Sequence, residues 1–480
     1  MVNHDRISEI IEQKRERFTQ VSDSIWEFAE TRFEEFRSAE LLCQTLEQEG
    51  FVVEKGLAGI ETAFVGTYGS GGPVVAILGE YDALSGLSQE RGNAAHTPIQ
   101  AGGNGHGCGH NLLGTGSLAA AVAIRHYMEE NQIQGTVRYY GCPAEEGGSG
   151  KAYMAREGLF DDVDFAICWH PQNFNALMSI SSLANYQVYF KFKGKAAHAA
   201  AAPHLGRSAL DAVELMNIGV NYLREHVIPE ARMHYAITNT GGFSPNVVQA
   251  EADVLYLIRA PHTQQVEEIY QRVCKIAQGA AMMTETQVEI IFDKACSNLI
   301  PNQTLERVMY ENFRQLGVPQ FDEAEKDFAR QIRTTIPIMD KNSELQMLAK
   351  LKGPGASELL KQLKELELSE FLLPHMQTPR LMSGSTDVGD VSWITPTVQC
   401  STTCFAMGTQ LHSWQAVAQG GMSIGHKGML HAGKVMAATA IDVLLRPEVV
   451  AKAKAELQER LEGQSYVCPI PAEIKPAARR

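Results

Sequence analysis

At 480 residues the chain exceeds what one hydrophobic core usually supports, so two domains are expected, each large enough to fold without disulfide staples. With 42 Lys and Arg against 56 Asp and Glu, the formal charge of -14 repels nucleic acid and anionic membranes, and an anionic substrate must be attracted locally. Nine cysteines at 43, 108, 142, 168, 274, 296, 400, 404 and 468 are scattered without CxxC spacing, which argues for reduced thiols and a cytoplasmic protein.

The N-terminal stretch MVNHDRISEIIEQKRERF is charged and lacks the apolar centre of a secretion signal, and no apolar run approaches the roughly 18 residues of a membrane span. Residues 5–50 read as two helices closed by Gly50, and FVVEKG as a strand. PVVAILGEYDAL, Pro73 to Leu84, is a continuous apolar run of the kind buried on both faces of a parallel sheet, and it ends in acidic residues. Such folds place ligands at that end of the strand. LLGTGSLAAAVAIRHYMEENQ predicts a buried helix; TVRYYGCPAEEGGSG and VDFAICWHP predict strands that also finish in ionisable groups. Alternating strands and helices predict a doubly wound α/β domain.

Near residue 182 the pattern changes to period two in NYQVYFKFKGKAAHA, followed by further alternating strands and helices to 297. This block, 183–297, reads as an α+β domain inserted between 1–182 and 298–480. A Lys/Glu-rich helical segment near 320–380 reads as a surface excursion or an added interaction element. GSTDVGDVSW, VQCSTTCFAMGTQLH and a helix in HKGMLHAGKVMAATAIDVLL return to the first domain.

The chemistry begins at NGHGCGHN, 104–111. Residues two apart in an extended segment point the same way, so Cys108 and His110 can reach one ion, His106 can join them, and glycines let backbone and metal approach. Thiolate and imidazole suit Zn, Mn, Co or Ni, and a thiolate can bridge two ions. Adjacent Glu145 and Glu146 can diverge, one to a metal and one to water. His170, closing a hydrophobic strand before Pro171, is either a further ligand or a core histidine.

In order, GEYDAL, HGCGHN, PAEEGGSG, WHP, KGKAAHAAAAPHLGRSALDA, SPNVVQAEADVLYLIRA, GSTDVGD and GTQLH resemble the amidohydrolase branch of the aminoacylase and carboxypeptidase G metallopeptidase family. The resemblance runs through most of the chain and implies a catalytic α/β domain with an inserted lid and dimerisation domain. It implies a binuclear centre of Mn or Zn in which Cys108 bridges and His110, Glu146, His170 and His412 complete the set, with His426 competing for the last place. Asp82 would orient the cluster, Glu145 would act as general base, and Glu80 stands where many relatives carry a metal-binding histidine. His198, from the inserted domain of a neighbouring protomer, would stabilise the oxyanion, while Arg259 and Asn246 would bind a substrate carboxylate as the inserted domain closes. Without the resemblance, His198 reads as an ordinary strand-end residue and Arg259 as the partner of a surface acid such as Glu251 or Asp253. The flanking sequences HGCGHNLLGTGS, CPAEEGGSGK and LHSWQ imply, within that branch, hydrolysis of p-aminobenzoyl-glutamate by a homodimer, with room for a related A-type chain. Other N-acyl amino acids are the rival substrates, and a noncatalytic carboxylate-binding partner is the reading from another class.

Overall fold

The computed structural model describes residues 2–341, 362–375 and 381–478. These form two compact units: Met1–Ile180, Ile300–Arg380 and Val391–Tyr466 in one, and Ser181–Leu299, Leu381–Asp390 and Val467–Arg480 in the other. Sequence patterning gives the second unit only 183–297 and returns GSTDVGD to the first. The structure corrects this, because the strand Leu381–Met382 pairs with Ser181–Ser182 and Asp390 accepts the Ser297 hydroxyl at 2.8 Å. Within 320–380, Glu323–Thr335 is a helix with a reciprocal Asp322/Glu325 cap; 342–361 and 376–380 lie outside the described residues.

The first unit is built on a seven-stranded sheet. In chain order its strands are β1 (Val52–Lys55), β2 (Phe64–Ser70), β3 (Val74–Glu80), β4 (Gly135–Cys142), β5 (Phe165–Gln172), β6 (Ala176–Leu177) and β13 (Thr397–Thr403), in the spatial order β1-β2-β4-β3-β5-β13-β6. Parallel pairing joins β4 to β3, β3 to β5 and β5 to β13, whereas β2 runs against β1 and β4, and β6 against β13. The sheet is therefore mixed, with a parallel centre. Its second strand escapes sequence reading because FVGTYGS carries two glycines and no regular alternation.

Residues 5–50 form three helices rather than two, His4–Gln13, Arg15–Phe28 and Phe36–Gln48, with breaks at Lys14 and at Ala29, whose φ of 43° is left-handed. Two longer helices, His110–Asn131 and Ser423–Leu444, pack on each other and on the central strands. Both are apolar nearly all round, as helices buried within a core must be. Small residues let them approach: a Cβ on Gly433 would stand 3.1 Å from the carbonyl oxygen of Gly116.

The second unit holds the short pair β7 (Ser181–Ser182) and β12 (Leu381–Met382) beside a four-stranded antiparallel sheet. That sheet contains β8 (Ala184–Lys193), β9 (Arg232–Asn239), β10 (Glu251–Ala260) and β11 (Gln287–Cys296), in the order β11-β8-β10-β9. Alternate residues of β10 are buried, which is the two-residue period seen in its sequence. Helices Ala209–Leu223 and Thr263–Thr284 pack against this sheet and each other.

Candidate metal centre

Parallel pairing puts the C-terminal ends of β3, β4, β5 and β13 on one edge of the sheet. Glu80 ends β3 and Asp82 follows; Glu145 and Glu146 follow β4; His170 lies near the end of β5; His412 comes nine residues after β13. The turn after β4 folds back on Ala144, whose φ is 58° and whose carbonyl accepts the N–H groups of Gly148 and Ser149 at 2.7 and 2.8 Å. Gly109, at φ 77°, ends the extended part of the glycine-rich stretch, and a helix starts at His110. Gly107 has a different reason to be glycine: a Cβ there would lie 2.5 Å from Leu87 Cδ1 and 3.3 Å from His412 Cα. That close approach lets His412 N–H donate to Gly107 O at 2.8 Å, tying the last histidine to the first cluster.

Cys108 Sγ lies 3.4 Å from His170 Nε2, and His412 Nε2 lies 3.2 Å from Glu146 Oε1. His110 Nδ1 lies 2.8 Å from Asp82 Oδ1, and His170 Nδ1 lies 2.8 Å from the carbonyl of Pro171. With each Nδ1–H donated to those acceptors, both rings direct an Nε2 lone pair at the centre. Asp82 Oδ2 also accepts the N–H of Glu146 at 2.9 Å. Cys108, His110 and His170 each offer one atom within 4.8 Å of the others, as do Cys108, Glu146 and His412. The two sets share Cys108, and each could hold a metal ion. His110 Nε2 is buried without a hydrogen-bond partner, as a nitrogen reserved for a metal would be.

Electrostatics favour a thiolate and carboxylates facing protonated imidazoles. Burial and the Glu146 carboxylate push the Cys108 thiol up, but the positive histidines 170 and 110 bring it down to about 6. Burial likewise raises Glu146, while the hydrogen bond from His412 and the charge of His110 hold it at about 2. Hydrogen bonds to Cys108 and Glu146 push His412 up to about 11. Against burial, Asp82 and Cys108 raise His110 well above its ordinary value. Glu80 is pushed up by burial, yet the charges of Lys151, His110 and His170 keep it below the usual carboxylate value. A divalent cation bound by these side chains would take the place of the imidazole protons and keep the anionic partners neutralised.

His106 is the correction within the glycine-rich stretch. It is buried with Nε2 3.0 Å from Ile25 O, burial pulls it down to about 3, and it belongs to neither donor set. His426 pairs with Asp23 at 2.9 Å in the first turn of Ser423–Leu444, and it is His412 that stands in a donor set. On the second unit, Arg259 donates to Ser385 Oγ at 2.7 Å. There the exposed His198 accepts the N–H groups of Ala200 and Ala201 through Nδ1 and bridges Val247, next to Asn246, whose carbonyl takes the Ala199 N–H.

Sequence reasoning misses Glu35 and Lys151. Glu35 is wholly buried, and its Oε1 accepts the N–H of Ala144 at 3.0 Å, bracing the turn that carries Glu145 and Glu146. Burial and nearby Asp82 push its carboxyl well above 4.5. One acid in TRFEEFRS carries no local signal of such burial.

The family model of peptidase family M20/M25/M40 matches residues 76–475. Over 471 residues the chain is 52% identical to the B-type chain of p-aminobenzoyl-glutamate hydrolase from Escherichia coli, covering 98% of each. It is 29% identical to the mouse Xaa-Arg dipeptidase over 96% of this chain and 94% of that one. An aminobenzoyl-glutamate utilization protein from Klebsiella pneumoniae shares the fold, with a TM-score of 0.58 at 17% identity over 92% of this chain and 99% of that one. With most of its length matched and candidate metal ligands gathered at the sheet edge, the chain belongs to peptidase family M20/M25/M40.

Proposed function

We propose that the chain is a binuclear metal-dependent amidohydrolase that cleaves p-aminobenzoyl-glutamate to p-aminobenzoate and glutamate. The observation that carries this reading is near-full-length similarity to a p-aminobenzoyl-glutamate hydrolase, in a chain with two candidate donor sets that share Cys108. Cys108, His110, Glu146, His170 and His412 would hold two divalent ions, Mn or Zn, which when bound would supply the Lewis acidity for activating water and polarising the amide carbonyl. Glu145 takes the proton of the attacking water and returns it to the leaving amine. Asp82 holds His110 and the Glu146 backbone in register while this happens. Arg259, with its forked donors, binds the glutamate carboxylate, Asn246 adds a hydrogen bond, and His198 steadies the oxyanion. The assembly is a cytoplasmic homodimer through the second unit. Because the Escherichia coli hydrolase has A-type and B-type chains, an A-type partner is part of the reading.

The test is turnover by the purified chain supplied with Mn or Zn, with p-aminobenzoyl-glutamate compared against a panel of N-acyl amino acids and dipeptides, with and without chelator. A specificity constant highest for p-aminobenzoyl-glutamate, abolished by chelation, is expected. The dipeptidase relative supports the second reading, an amidohydrolase of other N-acyl amino acids, and a far higher constant for the panel would establish it instead. No turnover of any substrate by fully metallated chain would favour a noncatalytic partner.

A further inference from the structure

The four-stranded sheet of the second unit has two unlike faces. On one, Tyr256 and its alternate neighbours on β10 are buried, and the Tyr256 hydroxyl donates to Asn217 of the helix Ala209–Leu223 at 2.5 Å. The other face carries Arg259, and the strand register puts Arg232 of the edge strand β9 directly opposite it. His234 follows on the same face, opposite Leu257. Like charges directly opposite each other destabilise a sheet, so two arginines in register call for a compensating anion. Among the described residues no acid pairs with Arg232. Its Nη1 donates to the carbonyls of Pro229 and Ala231 at 2.6 and 2.7 Å, which leaves Nε and Nη2 as a fork of the shape a carboxylate accepts. Arg224, a third arginine of the group, donates to the Asn221 side chain and the carbonyl of Met233, again to no acid. Asp253 stands at the other end of β10, opposite Asn239. Burial first, and then the charges of Arg259, Arg224 and Arg232, hold His234 below its ordinary value. At neutral pH its ring is therefore uncharged and can donate a hydrogen bond without adding to the repulsion.

We propose that Arg232 sets specificity for the side chain of the amino-acid half of the substrate: Arg259 takes the α-carboxylate, and Arg232, opposite it, takes a side-chain carboxylate. Directly opposed residues stand about 4.5–5.5 Å apart, a spacing that suits two carboxylates borne by one small amino acid. The substrate class is then N-acyl derivatives of acidic amino acids. An N-acyl glutamine, similar in shape but without the second charge, leaves the arginine pair uncompensated. This rests on the reading of Arg259 as the carboxylate fork and deepens it from one carboxylate to two.

The test compares p-aminobenzoyl-glutamate with p-aminobenzoyl-glutamine as substrates of the full-length metallated chain. Wild type, Arg232→Gln, Arg232→Lys and Arg259→Gln are assayed after circular dichroism has checked folding. Wild type should favour the glutamate substrate by at least about tenfold in kcat/KM, the worth of one charge-assisted fork. Arg232→Gln should lose that preference, with the loss falling on the glutamate substrate and chiefly on KM, and Arg232→Lys should keep part of it. Arg259→Gln should instead lower kcat/KM for both substrates. If Arg232→Gln fails to fold, Arg232→Lys replaces it, with a smaller loss expected on the glutamate substrate alone. A merely structural role for Arg232, holding the carbonyls of Pro229 and Ala231, would lower both substrates together, and that result would overturn the proposal. So would a preference unchanged in whichever Arg232 variant folds, or wild-type constants for the two substrates that agree within about threefold. Each of these outcomes leaves the proposed hydrolysis standing, whereas no turnover of either substrate by wild type would overturn that reading and this one with it.

Discussion

Asp82 makes a different contact with each of its two oxygens. Oδ1 fixes the ring of His110 and Oδ2 fixes the backbone of Glu146, so one buried carboxylate sets the direction of ligands from two segments. Partners of this kind typically account for about 10 to 100-fold in metal affinity or activity. Asp82→Asn is therefore expected to weaken metal binding by about that factor in a calorimetric titration, and wild-type affinity would remove the orienting role. Glu145 is expected to behave in the opposite way. Glu145→Ala should lower kcat by about 10² to 10⁴-fold while metal content per chain stays at the wild-type level, because it deletes the proton carrier and no ligand. Full turnover in that variant would reject it as the general base. The two variants separate holding the ions from using them, a distinction that adjacent acids in the sequence do not reveal.

At the scale of elements, parallel pairing of β3, β4, β5 and β13 does the gathering, and helix ends hold the frame. The helix Gln303–Leu316 starts at Asn302, whose side chain accepts the Leu305 N–H at 3.1 Å. Glu456, on the helix Pro447–Leu461, accepts the N–H groups of Gln303 and Thr304 at 2.8 and 2.9 Å and the Thr304 hydroxyl at 2.7 Å. Glu456→Ala should lower the unfolding free energy by about 1–3 kcal/mol at neutral pH. Burial pushes this carboxyl up, but the hydrogen bonds from Thr304 and Gln303 outweigh it and hold the folded value below 4.5. An acid depressed on folding stabilises fully above its unfolded pKa and loses that contribution as pH falls through the folded pKa. In urea titrations the deficit of Glu456→Ala should thus shrink as pH drops below 4.5, and a deficit that grew there would refute the linkage. Cys108 and His110 stood out in sequence because metal chemistry admits few residue types and glycines mark the close approaches, whereas His412 was suggested only by the family resemblance. Glu35, Lys151 and the burial of His106 were not readable, since each depends on segments distant in sequence. His106 shows the limit most clearly: its two-residue spacing from Cys108 matches that of His110, but it turns to the carbonyl of Ile25. Nor could pattern alone attach 381–390 to the second unit, because that placement depends on a two-residue strand and the contact of Asp390 with Ser297.

The whole molecule adds the question of how many chains make an active particle. β9 is an edge strand of the second unit, and among its residues Tyr235 and Ile237 are 43% and 41% exposed. Tyr222 on the helix Ala209–Leu223 is 77% exposed. An edge strand carrying exposed apolar side chains and unpaired backbone groups is a template for pairing with another strand. Pairing across a two-fold axis would use the same edge on both copies. Light scattering should then give twice the chain mass, and Ile237→Lys should shift the particle toward monomer with no loss of secondary structure. A dimer of wild-type strength in Ile237→Lys would place the interface elsewhere. If His198 serves the neighbouring chain's site, two inactive variants should also rescue each other. A mixed dimer of Glu145→Ala and His198→Ala contains one site with both groups intact, so equal mixing after dissociation and reassociation should restore about a quarter of wild-type activity. Were both groups drawn from one chain, every mixed site would lack one of them, and the mixture would stay as inactive as its components.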